Sequence, residues 1–326
     1  MKRSGSRNQH RVSRVERVER VERVERVEAA SGVWGLVRRI ASAAGIAIAA
    51  VHTPLAAQSG TEIWVAPLRA SATAMIGEPV NVTRRPGYDN QPAFTPDGRA
   101  LWFTRIGADA PADIWRVGVD GTGATRVTRT DESEYSATIT PDGQALSVIR
   151  VELDSTQRLW RFPLDGSAPS LVLRVLRPVG YHVWVNEANL GAFVLGDPNA
   201  LVLVDPRTER VDTLARDIGR ALVRVPGRDA FTFLQVGRDT SWISEVDARA
   251  RTIRRVAPAP RGSDYHAWTP GGRLLATQGL RVLVWVDGRW NTVLDLTGRG
   301  IGTLSRLAVS PTGDRIAFVA DEAPPR

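Results

Sequence analysis

Short apolar–polar alternations, broken at regular intervals by proline–glycine corners, dominate the chain from about residue 60 onward. The run from Asn90 to Thr104 is the clearest example. Ala93 and Phe94 lead into Pro96-Asp97-Gly98, and Leu101, Trp102 and Phe103 lead away from it. Proline presets φ at the second turn position, aspartate bonds back to the backbone, and glycine accepts the conformation that closes the corner. The run therefore predicts a β-hairpin.

The hairpin repeats. The corner returns at Pro141-Asp142-Gly143, where Ile139 and Leu146 flank it as Phe94 and Leu101 flank the first. Further copies stand at Pro226-Gly227-Arg228-Asp229, Pro270-Gly271-Gly272 and Pro311-Thr312-Gly313-Asp314, with a proline-free copy near Asn186. Corner positions 96, 141, 186, 226, 270 and 311 are separated by 45, 45, 40, 44 and 41 residues. A period near 43 is the length of one four-stranded propeller blade.

A second motif, a short strand entering a polar turn, repeats out of phase. Its copies begin at Ile63-Trp64, Ile114-Trp115, Leu159-Trp160, Leu201-Val202, Trp242-Ile243 and Leu283-Val284. The first copy precedes the first corner, and the last corner has no copy after it. Half a blade at the start and its complement at the end predict a ring closed by pairing N-terminal with C-terminal strands, which removes exposed sheet edges. The expected fold is all-β, a six-bladed β-propeller over 58–326, with its sixth blade built from 300–320 and 60–84. No helix-period stretch of convincing length interrupts it.

Residues 91–104, followed by Asp113-Ile114-Trp115 and Asp120-Gly121, resemble the TolB-like, WD-repeat-like propeller repeat. The resemblance is close in the first two blades, partial in the last two and faint between them. It implies a six-bladed propeller of exported bacterial type that acts as a binding or scaffold module. TolB itself carries an additional N-terminal α/β domain. Only a leader stands there in this chain, so membership of the Tol-Pal system is not implied.

The formal charge of +8 changes this picture only at the N-terminus. Residues 1–57 hold 11 of the 43 basic and 5 of the 35 acidic residues, leaving 32 and 30 for the rest of the chain. A nearly neutral repeat region argues against a nucleic-acid partner. Residues 1–32, including five Arg-Val-Glu triplets, predict a disordered low-complexity extension. Arg38-Arg39, the apolar run Ile40–Val51 and Leu55-Ala56-Ala57 predict a signal peptide over 33–57, cut after Ala57. The expected destination is the periplasm or the exterior, as a monomer without a membrane span once the signal is removed. If the signal stays, it becomes an anchor. Cysteine is absent, which removes thiol chemistry and disulfides.

Catalytic signatures are missing: there is no Gly-x-Ser-x-Gly elbow and no glycine loop in a strand–loop–helix context. The corner residues Asp97, Asp142 and Asp314 are expected to serve turn geometry. Trp64, Trp115, Trp160 and Trp285 recur at one strand position and predict packing between blades; Trp290 at a turn would suit stacking on a sugar better than these, but packing is the favoured reading.

The candidate site is the segment entering the first strand of each blade, which borders the central channel of a propeller. These segments contain Asp89 and Gln91, Glu134 and Tyr135 (with Ser136), Tyr181 and His182, Arg220, Asp264 with Tyr265 and His266, and Arg306. They predict a mixed-polarity rim that binds an envelope protein or a small ligand, with no cofactor. His182 and His266 hold equivalent places in Tyr-His-x-Trp. With Asp264 or Glu134 they also allow an alternative, a metal-dependent propeller enzyme of saccharide lyase or hydrolase type using channel histidines.

Overall fold

The computed structural model describes residues 60–69, 75–107 and 110–322. The chain divides into Met1–Gln58 and Ser59–Arg326, and all described residues belong to the second unit. The predicted extension and signal peptide lie outside them. The described residues form strands and turns, with no helix among them.

Four sheets are four-stranded antiparallel meanders, spanning Ser133–Leu171, Val179–Arg216, Ile218–Pro258 and His266–Asp295. The remaining strands form one nine-stranded sheet. Part of it is a meander from Tyr88 to Arg126. The rest orders Ile301–Val309, Arg315–Glu322 and Thr61–Arg69 side by side. Thr61–Arg69 also pairs with Val80–Asn81, and meets the meander through the single parallel bridge Thr61↔Tyr88. Thr61–Arg69 runs antiparallel to Arg315–Glu322 over seven partners, from Thr61↔Asp321 to Pro67↔Arg315.

The second strands show why these sequences settle where they do. Ala100–Ile106, Ala145–Val151 and Ala230–Gln235 are apolar almost throughout and buried on both faces. Continuous apolar runs of this length belong to strands covered on both sides. Alternate residues serve different neighbours: Leu101 and Phe103 join a cluster with Ile63, Val65, Ala317 and Val319, while Trp102 joins Ala137, Leu146 and Val148. Six clusters follow one another in this way, each shared between successive strand groups. The last brings Leu275 and Val284 against Ile316 and Phe318.

The hairpin corners follow the turn chemistry. Gly98, Gly143 and Gly313 take φ of 68°, 69° and 71°, a region closed to most side chains. Asp97 Oδ1 accepts from Thr95 Oγ1 at 2.6 Å and from the Arg99 amide at 3.0 Å. Asp142 repeats the arrangement with Thr140 and Gln144. The Thr95 hydroxyl and the Arg99 amide hold the Asp97 carboxyl below the usual carboxylate range. These aspartates are committed to their turns.

Trp64, Trp115, Trp160 and Trp285 each pack against one of the clusters between strand groups. Trp290 joins them: its ring lies 5.1 Å from that of Trp285, and its indole nitrogen donates to the Pro258 carbonyl at 2.8 Å. Packing, the role the sequence favours over sugar stacking, is what the strand Arg289–Asp295 gives it, laying it half-buried over its neighbour.

Candidate functional site

The first strands of the meanders, with Ile301–Val309, converge on one cavity of about 150 Å³. Its wall takes residues 91–93, 136–138, 181–182, 220–223, 265–266 and 306–307, so all six first-strand segments contribute. Seven of the eleven residues singled out from the sequence line it: Gln91, Tyr181, His182, Arg220, Tyr265, His266 and Arg306. A wider cleft of about 470 Å³ beside Glu62, Trp64, Arg85 and Asp321 takes none of them.

A repeated backbone irregularity aims these side chains. Gln91, Ser136 and Arg306 have φ of 58°, 54° and 50°, left-handed conformations in non-glycine residues. Each sits where pairing with the second strand shifts register, between Asn90 and Ala93, Tyr135 and Thr138, and Ser305 and Leu307. A bulge of this kind turns the local side chain away from plain alternation. Non-glycine residues hold such angles only where their surroundings impose them, and they cluster at functional positions. Gln91 helps impose the next one: its Oε1 accepts from the Ser136 amide at 2.8 Å and from Thr104 Oγ1 at 2.9 Å.

Arg306 reaches across the opening. Its Nη2 donates to the Tyr181 hydroxyl at 3.1 Å, and its guanidinium carbon lies 5.0 Å from the Tyr181 ring centre and 4.8 Å from that of Tyr265. Asp264 is an exposed residue in the fields of Arg220 and Arg306. Desolvation by the protein around it raises its carboxyl pKa, against the opposing fields of Arg220 and Arg306.

The two histidines are wall residues, 7% and 2% exposed. His182 Nε2 lies 2.7 Å from Ser147 Oγ, which also accepts from Trp184 Nε1 at 2.8 Å and donates to the Thr138 carbonyl at 3.1 Å. His266 Nε2 lies 2.8 Å from Thr232 Oγ1, and Trp268 Nε1 donates to that same oxygen at 2.9 Å. Tyr-His-x-Trp thus encodes a clamp in which imidazole and indole together grip one hydroxyl of the preceding sheet. Burial pushes His182 down to about 3 and His266 to about 4, so both rings are neutral at physiological pH. Among the described residues no three His, Cys, Asp or Glu side chains gather closely enough to hold a metal ion.

Asp89, Glu134 and Tyr135 do not reach the cavity wall. Asp89 is fully buried and paired with Arg105 (Nε to Oδ1 2.8 Å, Nη2 to Oδ2 3.1 Å) and with Arg85 at 3.0 Å. Glu134, also fully buried, accepts from Thr130 Oγ1 at 2.5 Å and faces Arg150 Nε at 3.3 Å. Burial lifts its carboxyl to about 7, against the Thr130 hydrogen bond and the Arg150 charge. Above each acid the arginine stacks on aromatic rings: Arg105 on Phe103 and Trp115, Arg150 on Trp160 and Phe162. Acid, arginine and tryptophan recur at matching distances from the corners at 96 and 141, a signal present in the sequence though not singled out from it. Tyr135 packs beside Ile149 and Leu159.

No protein-family model and no curated protein sequence matches the chain. Solved structures do. A TolB structure from Agrobacterium tumefaciens superposes with a TM-score of 0.63 at 17% identity, over 81% of this chain and 99% of that one. A gluconolactonase, XC5397 from Xanthomonas campestris, gives 0.56 at 13% identity over 79% and 95%. A chain of a Nidogen/Laminin complex gives 0.54 at 15% identity over 80% and 98%. At these identities the likeness establishes the fold: the described unit is a β-propeller.

Proposed function

We propose that this chain is an exported six-bladed propeller that binds a protein or small ligand through one mouth of its central channel. Six blades follow from treating the nine-stranded sheet as two, joined only at the Thr61↔Tyr88 bridge. The long Thr61–Arg69/Arg315–Glu322 ladder and the cyclic order of the six apolar clusters support closure of the ring. Export rests on the basic, apolar and alanine-rich order of residues 38–57.

The fold by itself does not choose between binding and catalysis, since a gluconolactonase and a Nidogen/Laminin complex share it. One observation carries the binding reading: six separate segments deliver polar and aromatic side chains to a single cavity, three of them through costly left-handed bulges. The histidines, the groups an enzyme would use as base or metal ligands, spend their Nε2 atoms on structural hydroxyls instead.

Affinity capture from an envelope fraction tests this, comparing wild type with Arg220→Glu at the rim and Arg174→Glu on an exposed loop. The expected result is capture lost with Arg220→Glu and kept with Arg174→Glu. Equal capture by all three, or turnover of a substrate by the purified chain, overturns the reading.

A further inference from the structure

Two cavity residues, Ser136 and His182, each carry a buried polar atom without a hydrogen-bond partner among the described residues: Ser136 Oγ and His182 Nδ1. Buried polar groups are ordinarily satisfied, and leaving one unpaired costs about 1–3 kcal/mol. Two such atoms on one cavity wall point to a group that binds there.

The chemistry of that group follows from the pair. Ser147 Oγ accepts from Trp184 and has one proton to give, either to the Thr138 carbonyl or to His182 Nε2. In the first case His182 Nδ1 is a bare acceptor; in the second it carries the ring proton and donates. A hydroxyl satisfies both cases, because it donates and accepts. It also matches Ser136 Oγ, itself a hydroxyl. Arg220 and Arg306 on the same wall disfavour a cationic ligand. Arg306 is already committed to Tyr181 and Tyr265, Asp264 lies in the fields of both arginines, and the imidazoles are neutral, so the wall offers no unshared cationic pair to an anion.

We infer that the cavity takes a small, uncharged, hydroxyl-rich molecule, a monosaccharide or polyol, whose hydroxyls complete Ser136 Oγ and His182 Nδ1. This deepens the proposed function and rests on its placing of the binding site in this cavity. The wall is preorganised for the task. Gln91 fixes the Ser136 bulge, Ser147 and Trp184 fix the imbedded imidazole, and Tyr181 and Tyr265 are braced by Arg306. A molecule that reaches these atoms meets side chains already held in place, which lowers the entropic cost of binding.

The test is ligand-observed NMR and calorimetry on the full-length protein with D-glucose, D-galactose, D-xylose and D-glucitol. At least one probe is expected to bind saturably. Ser136→Ala should then weaken it at least five-fold with no loss in Tm, because Oγ makes no hydrogen bond within the wall. His182→Gln, which alters the clamp as well, should weaken it further. The inference falls if none of the four probes saturates, or if Ser136→Ala binds them as wild type does. It falls equally if a crystal soaked in the probe shows only ordered water bridging Ser136 and His182. Failure of the probes with capture still dependent on Arg220 sinks this inference and spares the binding module. Probe binding with capture insensitive to Arg220 spares the cavity ligand and sinks the partner-binding rim.

Discussion

Arg306 and Tyr181, 125 residues apart in sequence, meet across the cavity through a 3.1 Å hydrogen bond and a cation–π contact at 5.0 Å. The Tyr265 ring, 4.8 Å from the guanidinium carbon, completes a three-part brace. Contacts of this kind contribute about 0.5–2 kcal/mol each. Arg306→Ala is therefore expected to lower stability by about 1–3 kcal/mol in urea unfolding. Arg306→Lys should recover only part, because an ammonium lacks the planar fork that both bonds Tyr181 and stacks on two rings. Full recovery by lysine would show that charge alone matters there.

The hydroxyl clamps make a sharper forecast. Ser147→Ala strands both His182 Nε2 and Trp184 Nε1 in a buried setting, and Thr232→Val does the same to His266 and Trp268. Each should cost about 2–4 kcal/mol, since one deletion leaves two polar groups unsatisfied. Denaturant midpoints for the two variants check this. A loss below about 0.5 kcal/mol in either would mean the clamp is incidental.

Acid should weaken the fold in a defined way. The unfolded chain protonates His182 and His266 near 6.5, whereas the folded wall holds them down to about 3 and about 4. Stability conferred by these two sites is thus full above 6.5 and falls as pH drops below it, by up to about 1.4 kcal/mol per unit for each. Glu134 acts with the opposite sign. Its carboxyl keeps a proton up to about 7 when folded but releases it near 4.5 when unfolded, so acidification through that window favours the fold. For these three groups the balance between about 4.5 and 6.5 is one proton's slope. Urea midpoints across pH 4 to 8 should show Glu134→Gln steepening the acid loss and His182→Gln flattening it. Unchanged slopes in both variants would contradict these assignments.

Ring closure can be tested by a crosslink in a chain that has no cysteine of its own. Thr61 and Asp321 stand opposite each other at the end of the closing ladder. A Thr61→Cys/Asp321→Cys variant is expected to form an intramolecular disulfide on oxidation and to gain about 2–4 kcal/mol. Intermolecular dimers alone, seen on a non-reducing gel, would place the two strands apart.

Much of this was legible in the residue pattern because repeats impose the same local physics many times over. Pro-Asp-Gly corners and the out-of-phase Trp motif both point to four-stranded units near 43 residues long. Seven of the eleven candidate residues gather around one cavity for the same reason: equivalent repeat positions occupy equivalent places. Asp89 and Glu134 went elsewhere because each has an arginine on the facing strand, Arg105 and Arg150, that holds the acid inside the wall. That pairing needs the register of two strands some 16 residues apart, which alternation alone does not supply.

The sequence by itself determined the all-β class, the repeat length, the turn chemistry and the segments that face inward, because these depend on spacing and on residues with strong local preferences. Only the tertiary structure decided which side chain each segment presents. The left-handed bulges at Gln91, Ser136 and Arg306 shift the strand parity without a glycine to announce them. The clamps on Ser147 and Thr232 join neighbouring sheets across about 35 residues of chain. A side chain's direction in a strand follows from period two until one residue breaks it, and that break is set by the neighbouring sheet.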